Sequence, residues 1–301
     1  MKKKPAPARV SRKGGFSFSA LLAAVFVLAA LLAVLLLILL HAAPPEKMPP
    51  APHKAESNPD AGAAVISPPA EPEPPAALQL PLRRIAIIID DIGLRREPVE
   101  KLLAAGIPLT FSVMPDQPHT KELAATIAAA GQEVMLHLPM EPEDDKENNP
   151  GAGALLVTEP DEDIRAAIGH DLGQVPQAKG VNNHMGSLFT QNARKMEVVL
   201  LELKTRNLFF IDSRTAPASV GYALARRLGL KTAVRRVFLD SGPDAEAIAG
   251  NLRLALALAV KEGTVVAIGH PYPATVAAIE SLKDDLAKAG VTPVFASQVV
   301  R

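Results

Sequence analysis

Five short runs of this sequence hold the side chains best suited to moving protons or holding a cation. They are Ile89-Asp90-Asp91-Ile92-Gly93, Leu136-His137-Leu138-Pro139-Met140-Glu141, Val181-Asn182-Asn183-His184-Met185, Ile211-Asp212-Ser213-Arg214-Thr215 and Gly269-His270-Pro271. Two adjacent carboxylates repel, which raises the pKa of one of them. A divalent cation on one acid relieves the repulsion and leaves the other free as a general base; the plainer alternative is that one Asp caps the turn at Asp-Ile-Gly. An aspartate and two histidines with an open position suit Zn²⁺ or a similar hydrolytic ion, which makes one acid of the Asp90-Asp91 pair, with His137 and His184, a candidate ligand set. Such an ion polarises a carbonyl and brings the pKa of bound water toward neutrality. His137, ending an apolar run, also reads as a core histidine. His270 is placed as a second acid/base, to protonate a leaving amine near pH 7. Asp212 is a candidate for orienting an imidazole, and Arg214 for pairing with Asp90 or with substrate; a structural Asp–Arg pair explains these two equally well. Asn182 and Asn183 are candidates for holding either an imidazole or a substrate, and Glu141 joins them as a substrate-binding candidate.

These residues share a position. Strands are expected at 84–89, 108–113, 133–136, 178–181, 208–211, 231–234, 265–268 and 291–295, each a short apolar run. Helices are expected between them at 97–105, 119–130, 158–175, 195–206, 220–228, 244–262 and 274–289, with Thr158 as an N-cap and Pro160 in the first turn of the third. Seven to eight such alternations argue for a mostly parallel sheet covered by helices, and the repeat number favours a deformed (β/α) barrel over an open sheet. Almost every candidate above falls at the C-terminal end of a strand, where sites form in parallel α/β folds. His119 and His170 fall in helices, and His41 and His53 in a linker, so they read as solvated. The stretch from Glu141 to Val157, rich in acids, Asn and Gly, reads as a lid or a disordered excursion.

The first 81 residues differ in kind. Lys2, Lys3, Lys4, Arg9, Arg12 and Lys13 precede an unbroken apolar run from Ala20 to Leu40. That run is long enough to cross a bilayer, and the basic flank favours the cytoplasmic side. Residues 1–15 thus read as a cytoplasmic segment and 16–40 as an uncleaved single-pass anchor in the inner membrane. Residues 41–81 carry twelve of the chain's 28 prolines and read as a disordered, semi-rigid linker. The folded domain spans 82–301 and is expected outside the cytoplasm. With 32 basic and 32 acidic residues the chain lacks the basic footprint of a nucleic-acid binder. It has no cysteine, which excludes disulfides, thiolate nucleophiles and Cys-ligated zinc, and no tryptophan.

Taken in order, the five motifs resemble the divergent polysaccharide deacetylase family over essentially all of 82–301. The resemblance implies a deformed (β/α) barrel related to the carbohydrate esterase deacetylases, which use a metal to remove N- or O-acetyl groups from cell-wall sugars. It implies a base at Asp90, a metal ligand at Asp91 and an acid at His270. The main deacetylase family takes two ligands from His-x-x-x-His; here the run reads His137-Leu-Pro-Met-Glu141, so either His184 or Glu141 completes the set or metal binding is weak. The Arg-Pro-Pro-Tyr segment of that family is absent. The expected function is a metal-dependent hydrolase, with zinc as the first candidate ion, that deacetylates an envelope glycan. The alternative is an envelope binding or scaffold domain derived from such an enzyme.

Overall fold

A computed structural model describes residues 82–301 apart from Asp145 and Pro243. The basic segment, apolar run and proline-rich linker expected at 1–81 lie outside the described residues. Among the described residues no helix is long and apolar enough to cross a membrane.

The expected alternation is present. The strands are β1 (Arg84–Ile92), β2 (Thr110–Val113), β3 (Glu133–Met140), β4 (Gly180–Met185), β5 (Phe209–Asp212), β6 (Thr232–Val234), β7 (Val237–Phe238), β8 (Thr264–Gly269) and β9 (Thr292–Val294). The helices are α1 (Glu97–Ala104), α2 (Thr120–Ala129), α3 (Asp161–Gln174), α4 (Ala193–Thr205), α5 (Gly221–Arg227), α6 (Ala245–Glu262), α7 (Pro273–Glu280) and α8 (Leu282–Ala289). All strand pairings are parallel, in the order β6-β5-β4-β3-β2-β1-β8-β7, with β9 pairing the first half of β1.

The ends of that order are consecutive in the chain. Only Arg235 and Arg236 separate β6 from β7. Three Cα–Cα steps span at most about 11 Å, so the sheet must curl until its two edges lie side by side. Arg235 N–H bonds to the Asp212 carbonyl at the end of β5 and Arg236 N–H to the Val266 carbonyl of β8, one toward each edge. Among the described residues no strand ladder joins β6 to β7, so the result is a curled, incompletely closed barrel.

Curling gives the sheet two apolar faces, which is why the strands read as continuous apolar runs. Ile85, Ile87 and Ile89 of β1 face the helices in the larger core, with Leu136, Val181, Phe210 and Val265. Ala86 and Ile88 face inward and pack with Met135, Phe209, Ile211, Val266 and Ile268. Val294, Ala296 and Val299 cover the lower end of this inner core. They are fastened there by Ala296 N–H to Thr110 Oγ1 and by Ser297 N–H to Glu133 Oε1, both at 3.0 Å.

The elements depart from expectation at four places. β3 and β4 run on through His137 and His184, because His137 pairs with Asn182 and Pro139 with His184 across a continuous ladder. β7 was not expected, since two residues leave no periodicity to read. α3 starts at Asp161, with Pro160 at its N-cap in extended conformation, rather than at Thr158; the Glu159 carboxylate accepts from Leu156 N–H and holds a turn just before it. The single helix expected at 274–289 breaks at Ser281 into α7 and α8, where the Ser281 hydroxyl bonds to the carbonyls of Ala277 and Ala278.

Gly180 points into the inner core, where a Cβ would lie 2.3 Å from the Phe209 ring. Gly180→Ala is therefore expected to cost about 1–3 kcal/mol by overpacking, read as a lowered urea midpoint at unchanged m-value. Adding Phe209→Leu should recover part of the loss.

Candidate active site

Side chains on a strand alternate between faces. Continuing the inward series upward converts it from apolar to polar. Ala86 and Ile88 lead to Asp90 on β1, Thr110 to Ser112 on β2, Met135 to His137 on β3, and Gly180 to Asn182 and His184 on β4. Asp90, Ser112, His137 and Asn182 are all buried, forming a polar layer over the apolar floor.

Asp91 has the wrong parity for this face. The register between β1 and β2 slips between Ile89 and Ile92, so that three steps on β1 match two on β2. Within that bulge Asp91 takes φ 56°, a left-handed conformation that costs a non-glycine residue about 1–3 kcal/mol. The bulge brings both acids to one side. Met185 (φ 50°), ending β4, and Arg214 (φ 52°), just after β5, are left-handed too, so three rim positions share this strain.

Asp91 Oδ1 lies 3.0 Å from His184 Nδ1 and 3.2 Å from His137 Nε2. The two ring nitrogens are 3.2 Å apart. Asp91 Oδ1 is buried and has no hydrogen bond of acceptable geometry, so the nitrogens surround it without aiming a proton at it. The tautomer of His137 is set from behind. Its Nδ1 lies 2.8 Å from Asn182 Oδ1, which can only accept, so Nδ1 carries the proton and Nε2 presents a lone pair to the cluster. Asn182 is oriented in turn, donating from Nδ2 to Asp90 Oδ1 at 2.8 Å while Ser112 Oγ donates to its Oδ1. Zinc bonds of about 2.0–2.2 Å in tetrahedral array hold their ligand atoms about 3.4 Å apart. The three donors stand close to that spacing, one of them an unsatisfied buried carboxylate oxygen. The residues fit a divalent cation.

His270 approaches from β8. Its Nε2 is 3.7 Å from Asp91 Oδ2, and its Nδ1 is 2.9 Å from Asp240 Oδ1. Asp240 Oδ2 accepts from the His270 backbone N–H and from Thr275 Oγ1, which fixes the carboxylate and through it the ring.

Charge follows burial and neighbours. Burial pushes Asp90 above the usual carboxylate range, against the pull of His137 and His270. Burial acts upward on Asp91 too, but His137 and His184 in their charged forms outweigh it and hold that group well below the usual range. Burial alone would lower His270; the Asp240 hydrogen bond and the charges of Asp91 and Asp90 raise it instead.

The remaining candidates are placed differently. Glu141 is not a member of the donor cluster: its Oε2 accepts from Val157 N–H at 2.7 Å and closes the base of the 141–157 excursion. That excursion is also tied by Leu155, which is buried and exchanges backbone bonds with Pro139 and Glu141. Asn182 and Asn183 are wholly buried with their amides spent on protein groups; Asn183 accepts from Ser213 N–H and donates to the Met185 carbonyl, so both position the rim instead of facing a ligand. Asp212 accepts from Arg214 N–H, Ser219 Oγ and Tyr222 N–H and touches no imidazole. Arg214 is exposed and makes no ion pair with Asp90 among the described residues. The guanidinium that feels the Asp90 charge is Arg235, held over the Phe238 ring by bonds to the Ser213 and Arg214 carbonyls. Arg235 and Asp240 were missed by sequence reasoning. Asp240 ends an apolar run, the same signal that marks Asp90, but just after a strand of only two residues.

Asn182→Ala should weaken metal binding about 10–100-fold by freeing the His137 ring. Competition with a chromophoric chelator measures this, with a circular dichroism melt to show that the fold persists. Unchanged affinity would remove Asn182 from the site.

The sequence pattern of the divergent polysaccharide deacetylase family matches residues 87–300. The uncharacterized protein YibQ of Escherichia coli is 36% identical over 201 residues, which cover 66% of this chain and 62% of that protein. An uncharacterized protein of Haemophilus influenzae is 27% identical over 221 residues, 72% of this chain and 78% of its own. The crystal structure of an uncharacterized protein from Agrobacterium tumefaciens superposes with a TM-score of 0.68 at 21% identity, covering 72% of this chain and 89% of its own. At that identity the likeness is one of fold.

Proposed function

The chain belongs to the divergent polysaccharide deacetylase family, and from that premise we propose that its folded domain is a metal-dependent hydrolase acting on an acetylated envelope glycan. The observation that carries the proposal is the convergence of Asp91 Oδ1, His137 Nε2 and His184 Nδ1 within 3.2 Å of one another, flanked by a buried acid on one side and a carboxylate-held imidazole on the other. His184 completes the ligand set that the His137–Glu141 spacing left open.

Those three atoms would hold the cation, zinc being the first candidate. When bound, it supplies Lewis acidity, polarising a carbonyl and making water nucleophilic near neutral pH. The protein's own groups do the proton work. Asp90, pushed up by burial and held by Asn182, is suited to take a proton from attacking water and keep it during the reaction. His270, with Nδ1 on Asp240 and Nε2 toward Asp91, is suited to deliver a proton to the departing amine or alkoxide. A largely apolar cleft of about 560 Å³ opens beside it, walled by Ile248, Tyr272, Pro273 and Ala274. Tyr272 lies with its ring 5.3 Å from that of His270 and offers a half-exposed face for a sugar. The basic segment and apolar run at 1–40 would anchor this domain to the inner membrane, with the linker carrying it toward an envelope substrate.

Asp91→Asn and His270→Ala should each lower kcat on acetylated glycan fragments by about 10²–10⁴-fold while the melting temperature stays near that of the parent. Wild-type protein that binds glycan equally well with and without Asp91→Asn, and never turns it over, would instead support a binding domain.

The pH profile gives a further check. His270 must be protonated to donate, so activity falls as pH rises through its pKa. Asp240 raises that pKa, so Asp240→Asn should move the alkaline limb of kcat/KM to lower pH. An unmoved limb would remove His270 as the acid.

A further inference from the structure

A second group of ligating side chains lies away from these residues and shares none of them. Asp116, in the loop after β2, meets His170 and Asp171 from the last turns of α3, and one ligand atom from each lies within 4.8 Å of the other two. Gln174, one turn beyond His170, holds the group together. Asp116 N–H donates to Gln174 Oε1 at 3.0 Å, and Gln174 Nε2 donates to Asp116 Oδ1 at 2.6 Å. The first bond requires the amide oxygen at that position, which fixes the amide's orientation. Its Nε2 then faces His170 Nε2 at 2.9 Å, so that ring nitrogen accepts and is unprotonated, and a cation would take its lone pair over from the amide.

The cluster is therefore two carboxylates and an unprotonated imidazole nitrogen served by a single amide donor. Its most telling member is Asp171. It is 2% exposed, and its Oδ2 is buried without any hydrogen-bond partner. An orphaned buried carboxylate oxygen is expensive unless a cation or a proton meets it. Burial, with Asp116's charge adding to it, pushes Asp171 up to about 7. A purely structural helix position facing inward would be served better by an apolar residue of similar size.

We propose that Asp116, His170 and Asp171 form a second divalent-cation site, which ties the loop after β2 to the end of α3. Mixed oxygen and nitrogen donors favour the manganese–zinc class over calcium, which prefers oxygen alone. The side chains of Asp116 and His170 are largely open to solvent, 44% and 64% exposed, so water completes the coordination. The left-handed backbone of Asp116 (φ 54°) is the local strain that such a bound ion would offset. The ion would also steady the 141–157 excursion, which passes this point at Gly153, where a Cβ would stand 3.9 Å from Asp116 Oδ2.

The test uses the 301-residue chain stripped of metal and dialysed against Mn²⁺ or Zn²⁺, with bound ion counted by mass spectrometry. The parent for comparison is Asp91→Asn/His184→Ala, in which the first cluster is dismantled. This parent should still bind one ion per chain and gain melting temperature when the ion is added. Asp171→Asn in the same background should abolish both, and His170→Ala should weaken binding more than tenfold. In chelator, Asp171→Asn should melt no lower than its parent, because the neutral isostere relieves a buried charge; lost binding is then not lost folding. In the otherwise unaltered chain, Asp171→Asn should lower the ion count by one. A parent that binds no ion at saturating metal, or an ion that persists after Asp171→Asn, would overturn the proposal and leave a proton as what satisfies Asp171.

Discussion

A regular strand cannot turn two consecutive side chains to the same face, yet the chemistry at this rim needs Asp90 and Asp91 together. The bulge in β1 and the left-handed backbone at Asp91 resolve the conflict. Everything else at the site is arranged around that break in alternation. Asp90 keeps the inward parity of Ala86 and Ile88 and so lies deep, against Asn182. Asp91, turned by the bulge, meets the two imidazoles nearer the surface. The same pair of residues thereby acquires opposite electrostatic surroundings: desolvation dominates at Asp90, while imidazole nitrogens dominate at Asp91. Environment, not residue type, separates a candidate base from a candidate ligand.

The second requirement is that a polar layer this deep be fully paired. Asn182 meets it by binding in three directions, to Asp90, His137 and Ser112, from the middle of β4. One buried amide thus fixes the rotamer of an acid on β1 and the tautomer of an imidazole on β3. The apolar floor of Ile88, Met135 and Ile268 below excludes water, which strengthens these bonds and makes any unpaired member costly. The far side of the site uses a separate device, with Asp240 and Thr275 holding His270.

Much of this was legible in the chain. Short apolar runs ending in acids or histidines marked the strands and the rim together, and Asp90, Asp91, His137, His184 and His270 converge as their positions implied. What was not legible depends on direction. An acid at a strand end looks the same in sequence whether it faces the interior or caps the next turn, and Asp212 and Glu141 turn out to cap and tie. Asn182 and Asn183 offered no sign of being wholly enclosed, because the strand that encloses them continues past the apolar residues that announce it. Asp240 was hidden by the brevity of β7. His170, read as a solvated helix residue, stands 3.6 Å from the carboxylate of Asp116, which only the fold brings to it.

The seam between β6 and β7 has a consequence for how the domain tolerates changes in length. Most connections here have slack, and the excursion at 141–157 shows how much chain a loop can carry. Arg235 and Arg236 have none: each spends its backbone N–H on a different edge of the curled sheet. One residue added there would slide β7 along β8 by about 3.3 Å. Asp240 would leave the His270 ring, although neither residue had been altered. The spacing of this two-residue join is therefore as much a part of the proton-donating pair as the pair itself.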